Sequence, residues 1–269
     1  MTDIQKLVEF SRRYGSNPDC VCTGSGNTSL KENGVMYIKA SGYELGKMTE
    51  EDLVKVDLNK LIPVMEKDYG DNVKIREKTF IDNCNEAKFP GQEDRKPSIE
   101  VILHSFFPQK YVLHLHPTLI NGLTCGRDGE KVAAELFPDA LWTPLLMPGY
   151  EVAAFLYGKI DANVNTVFLQ NHGVFFAADT VEELDALFED MQEKLRARIG
   201  AEIPEELDEI DLSNPFTPAH ICYCGMGPEL PDTEDARIHY REGQKIQWYT
   251  QFFGGQNPLD KEFIERFLM

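Results

Sequence analysis

The chain has 269 residues, of which 27 are basic and 45 acidic, so its formal net charge is −18. A chain this acidic repels phosphate backbones at long range, and we do not expect a general nucleic-acid binder. Apolar residues make up 42 % of the sequence and aromatic residues 10 %, which supports a sizeable core and excludes global disorder.

The N-terminal third predicts one helix, two strands and a long irregular segment. Apolar residues at helical spacing predict a helix over 3–14, which ends near Gly15. Residues 35–40 have strand character, and 53–58 alternate apolar and polar side chains as a half-buried strand does. Residues 66–96 are polar and show no clear period, so we expect an irregular excursion there.

The middle of the chain predicts further helices and strands in alternation. Ser98 has the position of an N-cap for a short helix over 99–106. A strand is predicted over 111–116, followed by a helical stretch over 118–123. Residues 166–177 form a second, strongly apolar strand region.

The C-terminal part predicts a long helix, a linker and a tail. Thr180 opens a helix that runs to about residue 199. Residues 201–211 are acidic and look like a linker, and 212–269 form a tail with turn signals and a last helix near 259–268. Mixed strands and helices throughout indicate an α/β fold. We expect a catalytic domain over 1–211 with the tail packed against it.

The N-terminus and the cysteines indicate a cytoplasmic protein. The first residues form a charged amphipathic segment unlike a signal peptide, and no apolar run approaches the roughly 20 residues that span a bilayer. Six cysteines are therefore expected to be reduced. Two C-x-C pairs, Cys20/Cys22 and Cys222/Cys224, lack the longer loops of four-thiolate zinc sites, and we interpret them as structural thiols.

A metal site is predicted from the histidine pattern. His114 and His116 lie two residues apart on a predicted strand, so their imidazoles point to the same face and can bind one ion. Imidazole suits zinc and other divalent first-row metals. His172, in the second apolar strand region and next to Gly173, is the candidate third ligand if the two strands are neighbours.

Glu100 is the candidate acid/base. It lies in the first turn of the predicted 99–106 helix, which leads directly into the histidine strand, so its carboxylate can reach the same metal. His104 shares its helix face four residues later, and we interpret it as a packing residue or a partner of the ligands.

Three short segments suit a phosphate. The glycine-rich loop GSGNTS contains Gly26 and Asn27, and its free backbone N–H groups and hydroxyls can bind an anion even without lysines. Ser41 and Gly42, and Ser98 at a helix start, offer donors of the same kind.

In their order along the chain, GSGNTS, YIKASGYEL, DLVKVDL, PSIEVILH, VLHLHP and LQNHGVFFA resemble the class II aldolase/adducin family. The resemblance covers roughly residues 5–198 and is greatest to the aldolase portion of rhamnulose-phosphate aldolase/alcohol dehydrogenase fusions, followed by fuculose-phosphate aldolases. It implies a three-layer α/β/α sandwich with a mixed sheet and a homotetramer with active sites between neighbours.

The resemblance also implies the site and its chemistry. His114, His116 and His172 match the family's zinc ligands, Glu100 matches its catalytic glutamate, which can also bind the resting metal, and Asn27, Ser41, Gly42 and Ser98 match its phosphate-binding positions. The implied reaction is cleavage of a ketose 1-phosphate to dihydroxyacetone phosphate and an aldehyde.

Two departures from the family pattern leave questions open. Ile99 stands where simple fuculose-phosphate aldolases have a second serine, so one phosphate donor is missing. Tyr150 lies in the region of the family's proton-donating tyrosine, but the identity of that acid stays open. The alternatives are a pentulose-phosphate 4-epimerase or a sugar-phosphate dehydratase of the same superfamily, or a non-catalytic adducin-like scaffold.

Overall fold

The computed structural model describes residues 1–22 and 24–268; Thr23, which directly precedes the GSGNTS segment in the sequence, and Met269 lie outside the described residues. The strands are β1 Asn27–Glu32, β2 Val35–Lys39, β3 Leu53–Asp57, β4 Tyr111–Leu115, β5 Leu141–Thr143, β6 Thr166–Leu169 and β7 Gly173–Ala178. The helices are α1 Asp3–Gly15, α2 Leu58–Leu61, α3 Val73–Glu86, α4 Val101–Phe106, α5 Thr118–Thr124, α6 Gly129–Leu136, α7 Tyr150–Leu156, α8 Val181–Ile199, α9 Pro218–Cys224, α10 Glu234–Thr250 and α11 Lys261–Leu268.

The strands form one seven-stranded sheet in the order β3-β2-β1-β4-β7-β6-β5. Only the β5–β6 pair among them is parallel, so the sheet is mixed and mostly antiparallel. The pairing makes β4 the direct neighbour of β7, with Leu115 opposite Val174. This neighbour relation is the one on which the predicted third histidine ligand depends.

Helices cover both faces of the sheet. Helices α1, α5, α6 and α8 pack on one face against side chains such as Leu113 and Phe176. Helices α2, α3, α4 and α7 pack on the other face against side chains such as Val112 and Phe175. Strand residues alternate between the two cores because successive side chains point to opposite faces. The fold is the predicted three-layer α/β/α sandwich.

Several predicted elements are confirmed, including α1, β2, β3, β4, α5 and α8. Thr180 caps α8 as predicted: its hydroxyl accepts the Glu183 N–H, and the Glu183 side chain accepts the Thr180 N–H. Among the described residues, no helix is long and apolar enough to cross a membrane.

The apolar region over 166–177 is two strands rather than one. Strands β6 and β7 form a tight antiparallel hairpin, and the His172 N–H donates to the Leu169 carbonyl in its turn. Asn171 has a φ of 58°, a left-handed conformation that asparagine tolerates better than most residues. Apolarity alone predicted that His172 lies in a strand. It lies instead in the turn.

The prediction of an irregular segment over 66–96 is wrong for its centre, which forms α3. The Asn72 side chain accepts the Ile75 N–H and caps this helix. The buried side of α3 has only Phe80 and Cys84, too few for a clear period in the sequence.

Helix α10 was missed within the predicted tail. It buries polar or small residues such as His239, Glu242 and Gly243, so its sequence lacks a continuous apolar stripe. It packs closely on α5, where Tyr249 lies against Gly122; a Cβ added at Gly122 would come within 2.2 Å of the Tyr249 Cβ. The buried Asn171 amide donates to the carbonyls of Phe216 and Asn257, which attaches the C-terminal segment to the turn that carries His172.

Candidate active site

Three histidine side chains converge between β4 and the β6–β7 turn. One nitrogen from each of His114, His116 and His172 lies within 4.8 Å of the other two. The His114 and His116 Nε2 atoms are 2.9 Å apart. Ligand atoms around a tetrahedral zinc ion are about 3.3–3.8 Å apart, which lies within the range of these separations.

The tautomer of His114 follows from its backbone partner. His114 Nδ1 lies 3.1 Å from the Val174 carbonyl oxygen, which can only accept, so Nδ1 carries the proton. His114 Nε2 therefore presents a lone pair to the cluster, the form in which histidine binds a metal.

Glu100 faces the same point. Its Oε1 lies 3.1 Å from His114 Nε2 and 3.5 Å from His172 Nε2, yet it accepts no hydrogen bond from any described residue. A carboxylate oxygen and an imidazole lone pair at this distance repel each other unless a cation or a proton lies between them. The unpartnered buried oxygen is the observation that fits a metal ion best.

Electrostatics keep the carboxylate ionised. Burial alone would raise the pKa of Glu100, but the hydrogen bond from Asn27 acts in the opposite direction and favours the ionised carboxylate. Burial lowers the pKa of His172 to about 4 and that of His116 well below its usual range. A carboxylate and neutral imidazoles are the protonation states that divalent metals require.

A chain of hydrogen bonds orients Glu100. Asn27 Nδ2 donates to Glu100 Oε2 at 2.7 Å, and His104 Nε2 donates to Asn27 Oδ1 at 2.5 Å. Because that nitrogen carries the His104 proton, Nδ1 accepts from the Ser29 hydroxyl at 2.8 Å. Both ring nitrogens of His104 are thus used, which fits the partner role predicted for it rather than that of a ligand.

The helix containing Glu100 begins later than predicted. Helix α4 starts at Val101, and Glu100 is the residue before it rather than part of its first turn. Ser98 is not the N-cap: its hydroxyl accepts the Glu100 N–H, at 3.4 Å, and Glu100 itself occupies the cap position. Strands β1 and β4 bring Asn27 opposite His114, and this register aligns Asn27 with the Glu100 carboxylate.

Gly173 leaves the space that the imidazoles occupy. A Cβ there would lie 2.5 Å from the Leu115 carbonyl oxygen, 2.7 Å from His116 Cδ2 and 3.3 Å from His114 Cε1. Any larger residue must therefore push His116 aside.

We expect Gly173→Ala to lower the affinity for a divalent ion about 10-fold, in line with overpacking costs of about 1–3 kcal/mol. The measurement is an apparent metal Kd in a competitive chelator titration. Gly227→Ala is the matched control, because a Cβ there meets nothing within 4 Å. Equal affinities in the two variants would contradict a role for the space at Gly173.

The histidine cluster opens into a cavity of about 340 Å³. Its lining contains every predicted site residue except the fully buried His114: Gly26, Asn27, Ser41, Gly42, Ser98, Glu100, His116 and His172. An isolated antiparallel β-bridge between Ala40 and Pro97 joins the two segments that carry Ser41 and Ser98. The structure therefore gathers both groups of sequence candidates around one space.

Sequence reasoning missed a lysine in this lining. Lys39, at the end of β2, is buried and donates to the carbonyls of Ala40 and Tyr43. Burial lowers its pKa to about 8, although the charge of Glu100 acts in the opposite direction. Nothing local in the sequence shows that this end of β2 faces the cavity.

The C-terminal segment also contributes to the cavity, which the sequence did not predict. Thr217, Cys222, Tyr223 and Glu242 line it. Tyr150, considered for the acid, instead packs against Tyr69 and Phe80, with ring centroids 5.4 Å from each.

The sequence model described as the Class II Aldolase and Adducin N-terminal domain matches residues 5–199. The chain belongs to this family. The chain is also similar to YuxG of Bacillus subtilis strain 168, which is described as an uncharacterized oxidoreductase. The two are 27 % identical over 191 residues. That match covers 66 % of this chain but only 27 % of YuxG, so this chain spans far less than the whole length of its curated relative.

Solved structures of class II aldolase domains have the same fold. The N-terminal class II aldolase domain of a conserved Thermoplasma acidophilum protein is 24 % identical with a TM-score of 0.64, over 74 % of this chain and 94 % of that one. An L-fuculose 1-phosphate aldolase is 18 % identical with a TM-score of 0.50, over 76 % of this chain and 92 % of that one.

Proposed function

We propose that this class II aldolase-family chain is a metal-dependent aldolase that cleaves a ketose 1-phosphate, similar to rhamnulose or fuculose 1-phosphate, into dihydroxyacetone phosphate and an aldehyde. The observation that carries the proposal is the unpartnered Glu100 Oε1 beside three convergent imidazoles. Membership of the family and a fold similar to an L-fuculose 1-phosphate aldolase support it.

His114, His116 and His172 would hold a divalent ion, zinc or another first-row metal, with Glu100 as a fourth ligand in the resting site. When bound, this ion supplies Lewis-acid stabilisation of the negative charge that develops on the substrate oxygens. No Schiff-base lysine is then needed.

Glu100 moves the proton at the nucleophilic carbon. In the synthetic direction its carboxylate takes a proton from C3 of dihydroxyacetone phosphate, and the electron pair left on C3 attacks the aldehyde carbon. The new carbon–carbon bond forms, and the aldehyde oxygen takes a proton from an acid. Cleavage is the reverse of these steps. Asn27 orients the carboxylate through its 2.7 Å hydrogen bond.

The phosphate is proposed to bind at Gly26, Asn27, Ser41, Gly42 and Ser98, where backbone N–H groups and hydroxyls line the cavity. Fixing the phosphate orients C3 toward Glu100. The positive charge of Lys39 in the cavity lining attracts the phosphate, which the net negative charge of the chain repels.

The charge of Lys39 gives a prediction about pH. Its pKa is lowered to about 8, so the ammonium prevails below this pH and is lost above it. A phosphate ester has its second pKa near 6 and does not titrate in this range. We expect KM for a ketose 1-phosphate to rise up to about 10-fold per pH unit above pH 8. The KM of Lys39→Met should be raised but independent of pH from 7.5 to 9.5; the same slope in both proteins would contradict this role.

The open question of the acid can be tested on two tyrosines. Among the described residues that line the cavity, Tyr223 is the one tyrosine, and we propose it as the acid. We expect Tyr223→Phe to lower kcat about 100-fold with little change in KM, as loss of a general acid does. Tyr150→Phe, outside the cavity, should retain activity within about twofold. Loss of activity only in Tyr150→Phe would reverse the assignment.

The decisive experiment is a retro-aldol screen of the metal-reconstituted protein. Ketose 1-phosphates and their unphosphorylated analogues are compared by aldehyde release, which tests the phosphate site despite Ile99. Epimerised product without free aldehyde would indicate the epimerase, loss of water would indicate the dehydratase, and a histidine cluster that takes up no metal would indicate a scaffold.

The family resemblance also implies a homotetramer, and we include this assembly and a cytoplasmic location in the proposal. Light scattering after size-exclusion chromatography gives the mass of the assembly, to be compared with the 30.6 kDa chain.

A further inference from the structure

A second group of potential metal ligands lies in the contact between the N-terminal loop and α10. Cys22, His239 and Glu242 each offer a ligand atom within 4.8 Å of the other two. All three are buried, with exposed fractions of 3 %, 1 % and 7 %. The family match ends at residue 199, so two of these residues lie outside it.

The geometry of this group suits an ion. His239 Nδ1 lies 2.9 Å from Glu242 Oε2, and the Cys22 sulfur, which donates to the Pro18 carbonyl at 3.8 Å, also lies near the Glu242 carboxylate. Burial, followed by the charge of Glu242, raises the pKa of this thiol. The histidine nitrogen and the cysteine sulfur thus both lie close to one buried carboxylate, an arrangement in which one cation could contact all three groups.

Charge balance supports a divalent ion. A thiolate, a carboxylate and a neutral imidazole carry two negative charges, which one divalent ion neutralises. The lysine of α10, Lys245, forms an ion pair with Asp19, while its charge also acts on the Cys22 thiol. Sulfur, nitrogen and oxygen together are the donor set of zinc sites, and three protein ligands leave one position open.

We propose that Cys22, His239 and Glu242 form a second divalent-metal site, selective for zinc-like ions, whose ligands differ from those of the histidine cluster although Glu242 lines the same cavity. Binding forms a metal–sulfur bond and releases the thiol proton to solvent, with no change in oxidation state. The ion would link α10 to the loop that leads into Asn27.

Cobalt(II) is a probe that distinguishes the two sites. A thiolate bound to cobalt(II) gives an intense charge-transfer absorption in the near ultraviolet, whereas the histidine cluster and Glu100 contain no sulfur. We expect metal-free protein titrated with cobalt(II) to bind two ions per chain and to develop this band. The band should persist in His116→Gln, where the histidine cluster is damaged, so the result does not depend on the proposed aldolase activity.

Cys22→Ser should abolish the band and bind one ion fewer per chain. Cys20→Ser is the matched control, since Cys20 is equally buried two residues away but is not part of the group. If Cys22→Ser fails to fold, Glu242→Gln is the second variant, because its side chain is nearly identical in shape. It should retain the band but require at least 10-fold more cobalt. A folded wild-type protein without the band, or a band that survives in Cys22→Ser, would overturn the proposal and leave a hydrogen-bonded group only.

Discussion

Glu100→Gln should lose exchange of the C3 proton of dihydroxyacetone phosphate with solvent, by a factor of about 10²–10⁴, while it keeps the ion at the histidine cluster. The amide retains the shape of the side chain and can still accept the hydrogen bond from Asn27. It has no basic oxygen to take the proton, and loss of a general base costs this much. Deuterium uptake into dihydroxyacetone phosphate, followed by NMR, measures this step without the aldehyde.

A matched control separates the proton transfer from a general effect of charge. Glu86→Gln removes the same charge from an exposed glutamate at the end of α3, outside the cavity, and should exchange at the wild-type rate. Metal content is measured on the same samples. Exchange of the C3 proton at the wild-type rate in Glu100→Gln would contradict the role of Glu100 as the base, whatever reaction the chain catalyses.

His116→Gln should bind one ion fewer per chain than the wild type and lose aldol cleavage by more than about 100-fold. Its Nε2 is 2.9 Å from that of His114, so it lies at the centre of the cluster and not at its margin. Loss of a residue that merely orients a ligand already costs 10–100-fold in affinity, and loss of a ligand itself costs more. Elemental analysis gives the ion count, and the retro-aldol assay gives the activity.

His104→Gln is the informative comparison for this variant. His104 is buried next to the cluster, but its two nitrogens bond to Asn27 and Ser29. It should keep its ion and lose activity about 10-fold, because Asn27 no longer holds Glu100 in one orientation. If His104→Gln loses the ion and His116→Gln keeps it, the ligand set proposed here is incorrect.

The elements predicted well were those whose signals are local. Helix α8 combines a regular apolar period with its Thr180 cap, and β4 is an apolar run closed by Pro117. The missed helices α3 and α10 lack such a period. Helix α10 buries His239, Glu242 and Gly243: the two polar side chains are tolerated because they hydrogen-bond to each other, and Gly243 lies against His220 of α9.

The active-site residues likewise divide into those that local sequence could place and those that only the fold brings together. His114 and His116 are two residues apart on one strand, so the sequence alone places them on one face. Their meeting with His172 required a turn at Asn171 that folds β6 back along β7. Lys39 and Tyr223 could not be assigned from the sequence, because nothing local shows that β2 and α9 face the same cavity.

By itself, the sequence determined the family, the α/β class and the pair of imidazoles on β4, because ordered motifs and strand periodicity are properties of the chain. Only the tertiary structure decided that β7 is the neighbour of β4, that Asn27 and His104 hold Glu100 in place, and that α9 and α10 cover the cavity. These features depend on contacts between residues distant in the chain, whose pairing is set by burial and hydrogen bonding across the whole fold.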